Sequence, residues 1–163
     1  MLPEAAPEAG VRPEEMFAGV TCGRGVLTHA DGGAPRGFTV RSTGERARST
    51  GEGTSGGFVL DQTIRFDDGE RRERRWVLRA DGPRRYRGTL TEASGPVRAR
   101  VGGDTLTLAY PLAGVPLGRM EQTLTLGADG RVANIGTARV AGVPVRRLSE
   151  TITRGAGACA AML

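Results

Sequence analysis

The amino-acid sequence predicts an all-β fold: an up-and-down antiparallel meander of about 8–10 strands, closed into a barrel behind a short helical turn. Three observations carry this. Apolar and polar residues alternate with a period of two through most of the chain, as in half-buried strands. The 26 glycines and 9 prolines cluster between these runs and mark tight turns. No interval of about 10–15 residues carries the helical period of a crossover connection, so consecutive strands pair as hairpins. A meander of this length removes its exposed edges most simply by closing on itself.

The elements follow in order. Residues 1–13 read as a flexible tail, and "PEEMFAG" as one helical turn with Pro13 at its start and Gly19 at its end. "GRGVLTHA" and "FTVRSTG" are strands separated by the turn "DGGAPRG". Residues 45–55, "ERARSTGEGTS", are almost without apolar content and read as a mobile loop or ragged edge. "GFVLDQTIRF" and "RRERRWVLRA" flank "DDGE", where Asp-Gly suits a type I′ turn. "DGP" leads into "RRYRGTLTEA". Then "PVRARV", "TLTLAYPL", "RMEQTLTL", "RVANIGTARV" and "VRRLSETITR" alternate with Gly-rich turns. One domain is thus expected over residues 14–154, with residues 155–163, "GAGACAAML", as a flexible tail.

Composition narrows the function classes. The net charge is +5, and all 23 basic residues are arginines. Nine of them lie in residues 64–88, which raises the question of nucleic-acid binding. Strand parity answers against it. Trp76 and Leu78 share one face, and Arg75, Val77 and Arg79 the other; Tyr86 likewise opposes Arg85 and Arg87. Aromatic platforms that bind bases would have to stand beside the arginines. The arginines read as a solvated outer face. The N-terminus has neither a basic nor an apolar segment of a leader, and no run reaches the roughly 18 apolar residues of a membrane helix. A cytoplasmic protein without a transmembrane segment is the expectation, as monomer or homodimer. Cys22 and Cys159 have no metal-ligand spacing; a disulfide joining the two chain ends is one option and the reduced pair the commoner one.

The order of motifs resembles a known family. Phe17-x-Gly19, Gly23 to Val26, "FDDG" at Phe66 to Gly69, Arg75-Trp76, Tyr86 to Gly88, "GGDTL" at Gly102 to Leu106 and Tyr110 together resemble the bacterial lipocalin-like domain-of-unknown-function family 3833, over roughly residues 16–154. The resemblance implies a calycin-type, lipocalin-like barrel with no established activity. Many members of that family look secreted or lipid-anchored, whereas this chain shows no leader or lipobox. It also lacks the Asn expected after the glycines of "GGDTLTLAY" and the Trp-Met pair expected in "RMEQTLTL".

No cofactor or metal is implied. His29 is the single histidine and lies beside a turn, where a surface or hydrogen-bonded residue is the ordinary outcome and a haem ligand the sharp alternative. Gly56-Gly57 and Gly102-Gly103 precede no helix, so a phosphate loop fails. No nucleophile with an adjacent base is apparent, and no catalytic residue is assigned. The interior remains. Parity nominates Phe66, Trp76, Leu78, Tyr86 and Leu90 from the middle strands as lining. It adds Leu108, Tyr110, Met120, Gln122, Leu124 and Asn134 from the later ones, and Arg147 as a cation at the mouth. Glu92, Glu121 and Glu150 lie on three different strands; Glu92 shares the parity of Tyr86.

Three functions fit. The first is a module that binds a small apolar or amphipathic ligand, lipid-like and acidic, inside the barrel. The second is a filled barrel that serves as a structural or interaction domain. The third is an isomerase- or hydratase-like enzyme with Glu92 as an interior acid near Tyr86 or Tyr110.

Overall fold

The computed structural model describes residues 12–47 and 57–160. Within them, ten antiparallel strands follow the predicted runs: β1 (Gly19–His29), β2 (Arg36–Ala47), β3 (Gly57–Phe66), β4 (Arg71–Ala80) and β5 (Arg85–Leu90). They continue as β6 (Val97–Gly102), β7 (Thr105–Pro111), β8 (Gly118–Leu126), β9 (Val132–Val140) and β10 (Val143–Arg154). Each strand pairs with its sequence neighbours, and β10 returns to β1 to close the barrel. Helix α1 (Pro13–Met16) forms where expected, with Pro at its first turn. The expected tail 1–13 falls outside the described residues up to position 11, as does most of the loop expected at 45–55; β2 itself runs on to Ala47.

Three local expectations need correction. The loop after β3 is not a type I′ turn, because only Gly69 has a positive φ (92°). Phe66 N–H bonds to Glu70 C=O at 2.9 Å, which makes Asp67–Gly69 a three-residue loop with Gly in the left-handed position. The C-terminal residues 156–160 form a second helix, α2 (Ala156–Ala160), packed against β1. Cys159 of α2 forms a disulfide with Cys22, with Cα atoms 5.2 Å apart. The reduced pair, taken above as the commoner state, is thus not what the fold holds.

The alternation of buried and exposed residues along each strand fills the barrel from one parity. One end is closed. There α1 lies across the barrel, and Met16 and Phe17 pack with Phe58, Leu78, Tyr86 and Val97 in the larger apolar cluster. A smaller cluster of Phe38, Val40, Ile64, Phe66 and Leu148 lies towards the other end, the mouth. Among the described residues no helix is long and apolar enough to cross a membrane.

Candidate functional site: the barrel interior

Between the two apolar clusters the inward positions are polar. On β2–β4, Gln62 Nε2–H donates to Ser42 Oγ at 3.0 Å. Gln62 Oε1 accepts both from Trp76 Nε1–H at 2.7 Å and from Arg74 Nε–H at 2.7 Å. Arg74 also pairs with Glu92 at 3.5 Å. On β7–β10, Tyr110 O–H donates to Gln122 Oε1 (3.2 Å), Gln122 Nε2–H to Asn134 Oδ1 (3.3 Å), and Asn134 Nδ2–H to Glu150 Oε1 (2.9 Å). The result is a polar belt inside the wall. None of its buried side-chain nitrogens and oxygens is left without a partner, as burial demands. Gly23 on β1 gives the belt room, since a Cβ there would run into Glu150 Oε2.

The electrostatics of the belt follow from burial. Glu150 is 8% exposed. Burial pushes its carboxyl above the usual glutamate range, outweighing the Asn134 hydrogen bond and the charge of Arg74. It is the belt's neutral-leaning acid. Glu92 is different: its side chain is 35% exposed and it faces Arg74. Tyr110 is pushed up to about 12, chiefly by burial, so it stays a phenol that donates to Gln122.

Inside the barrel, two spaces among the described residues adjoin the belt. A void of about 40 Å³ lies on the closed side, bounded by Trp76, Leu78, Leu108 and Asn134 among others. A chamber of about 130 Å³ opens at the mouth, with Phe66, Tyr110, Leu112 and Met120 as apolar wall and Arg72, Arg74, Arg146 and Arg147 as cations. Glu92, Gln122 and Glu150 supply its other polar groups. A water needs only about 10–15 Å³ of such space, so the chamber holds several waters or a compact ligand group.

The candidate residues named from the sequence therefore divide. Phe66, Glu92, Tyr110, Met120, Gln122 and Arg147 line the mouth chamber. Trp76, Leu78, Leu108, Leu124 and Asn134 line the closed-side void. Trp76 is buried as expected, with its N–H paired to Gln62 and its ring edge-on to Tyr110 at 5.6 Å. Leu90 packs in the larger apolar cluster, opposite Trp76 across β4 and β5. Tyr86 lies apart from the chamber. It sits beneath α1, donates to Glu14 Oε2 at 2.9 Å and accepts from Arg12 at 3.3 Å. Its hydroxyl is raised by burial, and its bond to Arg12 acts against that. Glu92 and Tyr86 thus belong to different ends. His29 ends β1, half-buried, opposite Arg146.

Arg147 is corrected in one respect. It shares the parity of the exposed Ser149 and Thr151, whereas Leu148, Glu150 and Ile152 are buried, so the inward register position is Arg146. Both arginines still border the chamber at its rim. The sequence reading also missed Arg74. It sits on the parity of Trp76, only partly exposed at 17% of its side chain, so the arginines of β4 are not all on the outer face. Glu150 was passed over as one of three scattered glutamates. The signal for both was parity alone: Arg74 precedes Trp76 by two, and Glu150 stands between Leu148 and Ile152 at the same spacing.

Comparison with known proteins extends this picture. Residues 4–140 match the family described as Protein of unknown function (DUF3833). No curated protein matches the chain in sequence. Among solved structures, the S-type phycobiliprotein lyase CPES from Guillardia theta superposes with a TM-score of 0.67 at 10% identity. That match covers 86% of this chain and 89% of the lyase, and it shows a shared lipocalin-like barrel fold.

Proposed function

The chain belongs to the DUF3833 family, and for this member we propose that the barrel binds a small amphipathic acid in its mouth chamber. The observation that carries the reading is the chamber itself: an apolar wall with four arginines around it. Arg72 is paired with Glu70 and Arg74 with Glu92. Arg146 and Arg147 form no side-chain ion pair or hydrogen bond among the described residues. They are the cations free to meet an anionic head, and an arginine fork suits a carboxylate. Burial raises the Glu150 carboxyl, which weakens its competition for those cations. The superposed lyase, a barrel named for action on phycobiliproteins, supports a ligand role for this fold.

The chamber is smaller than the roughly 300 Å³ of a drug-sized pocket. The reading is therefore a headgroup inside and a short tail at the rim, rather than a long chain fully enclosed. Native mass spectrometry of the purified protein, followed by titration with short- and medium-chain fatty acids under Trp76 fluorescence, tests it. Trp76 touches both Arg74, 5.7 Å from its ring, and Tyr110, so its emission responds to an occupant. A protein that carries no ligand and shows no saturable response to any acid refutes the reading.

One observation favours a second reading, an isomerase-like enzyme. Glu150 is a buried carboxyl beside an open chamber with Tyr110 near by. It replaces Glu92 as the group with the required environment, since Glu92 is ion-paired and half-exposed. Proton exchange at the α-carbon of a bound carbonyl compound, lost in Glu150→Gln, distinguishes the enzyme from the binding module.

A further inference from the structure

The rim of the mouth is not uniform. On the β3–β4 side its charges are balanced: Arg36 bonds Asp68 and Glu70, and Arg72 bonds Glu70. On the β7–β10 side it is apolar at the tips and basic behind them. Leu117 is 78% exposed and Val143 61%, with Val115 and Val145 also exposed. The two loops involved, residues 112–117 and 141–142, are tied together by Ala141 N–H to Leu117 C=O at 3.1 Å. Leu117 holds this position at a positive φ of 59°, unusual for a non-glycine residue. Ala141 does so as well, at 49°.

Behind these tips stand four arginines. Arg119 and Arg139 are directly opposite one another across β8 and β9 and share Glu121 at 3.7 and 3.8 Å. Arg146 and Arg147 border the chamber itself. Arg119 and Arg139 share the one carboxylate of Glu121, and Arg146 and Arg147 have no ion pair among the described residues, which leaves this side of the rim positive. Aliphatic tips on tight loops, backed by an arginine cluster, have the composition that enters the interfacial zone of an anionic bilayer.

We propose that this side of the rim docks onto an anionic phospholipid surface, with Leu117 and Val143 entering the interface and the arginines facing the headgroups. The inference rests on, and deepens, the binding reading. A docked mouth faces the medium in which an amphipathic acid is dissolved, so the ligand enters without crossing water.

Vesicle flotation tests it, using phosphatidylcholine alone and an equimolar mixture with phosphatidylglycerol. The protein is expected to float with the mixed vesicles only, and less so at high salt. A Leu117→Asp, Val143→Asp double variant is expected to bind about tenfold more weakly or worse, and Arg139→Glu to lose binding in part. All these residues are exposed or half-exposed, so the variants should keep the wild-type thermal midpoint. Wild-type protein that never floats, or a double variant that floats like wild type, overturns the proposal. So does a wild-type dimer, seen by light scattering, that the double variant splits while vesicles go unbound; the tips are then a self-association surface. Fatty-acid titration without vesicles separates the two claims. Acid binding without flotation removes the docking and leaves the barrel reading, and flotation without acid binding does the reverse.

Discussion

The two ends of this barrel are built from the same ten strands but packed for opposite ends. At the closed end, α1 seals the opening, the disulfide ties α2 to β1, and aromatic and aliphatic side chains leave a void of only about 40 Å³. At the mouth no helix of the described residues covers the opening, and a chamber of about 130 Å³ remains, ringed by arginines. Alternation alone does not produce the difference. What separates the ends is the identity of the inward residues and the polar belt between them. Buried amides and carboxyls must be paired, and pairing them sets a floor on which a polar ligand group can rest.

Breaking the closed end should cost the most. Trp76→Ala is expected to lower stability by about 3–5 kcal/mol in chemical denaturation, as for other large-to-small core changes. The indole fills the wall against Tyr110 and satisfies Gln62, so both packing and a hydrogen bond go with it. A loss of under about 1 kcal/mol would mean that the closed end tolerates a hole and is no plug. Next is the disulfide, which spans 137 residues. The Cys22→Ser, Cys159→Ser variant should lose about 2–4 kcal/mol, read as a lower denaturation midpoint with a somewhat steeper slope, because the unfolded chain is no longer cross-linked. An equal midpoint for both proteins would show that α2 contributes nothing to the closed end.

The polar belt gives a pH test. Glu150 has a folded pKa raised by burial, so the native state binds its proton more tightly than the unfolded chain does. Its contribution is fully present below the ordinary glutamate value and is lost as pH rises through the raised one. Glu150→Gln removes that loss. The variant should therefore gain stability relative to wild type as pH rises from the acid range to neutral, in parallel melting curves. Curves that stay parallel across that window would mean that Glu150 titrates like a surface carboxylate.

The smallest effect is expected outside the barrel. Arg85 and Arg87 are exposed on β5, each opposite another arginine, Arg100 and Arg98. Arg85→Glu with Arg87→Glu should change stability by less than about 1 kcal/mol in equilibrium denaturation. A larger loss would make the outer arginine face part of the fold's support.

These contrasts also show what the sequence could reveal. The strands were legible because period-two alternation and Gly-rich turns are local signals; β3 and β4 begin and end where the pattern does. The closed-end core was legible through Trp76 and Leu78, whose size leaves few other places for them. The belt was not. A charged residue at an inward position, such as Arg74 or Glu150, looks like a break in the pattern until its partners on other strands are known. Arg146 and Arg147 are adjacent and identical, and β10 changes register between Pro144 and Arg146, so parity counted from the turn goes astray there. Helix α2 is five residues long and is held by contacts with β1, which no local pattern announces.

The most direct measurement of the central claim is a paired calorimetric titration with a medium-chain fatty acid and the alcohol of the same chain length. It is run on wild type and on an Arg146→Gln, Arg147→Gln variant. If the mouth chamber is an anion-headed site, the acid binds wild type at one site, the alcohol binds at least about tenfold more weakly, and the variant loses that preference. Equal affinity for acid and alcohol, or an acid affinity unchanged in the variant, would contradict the account.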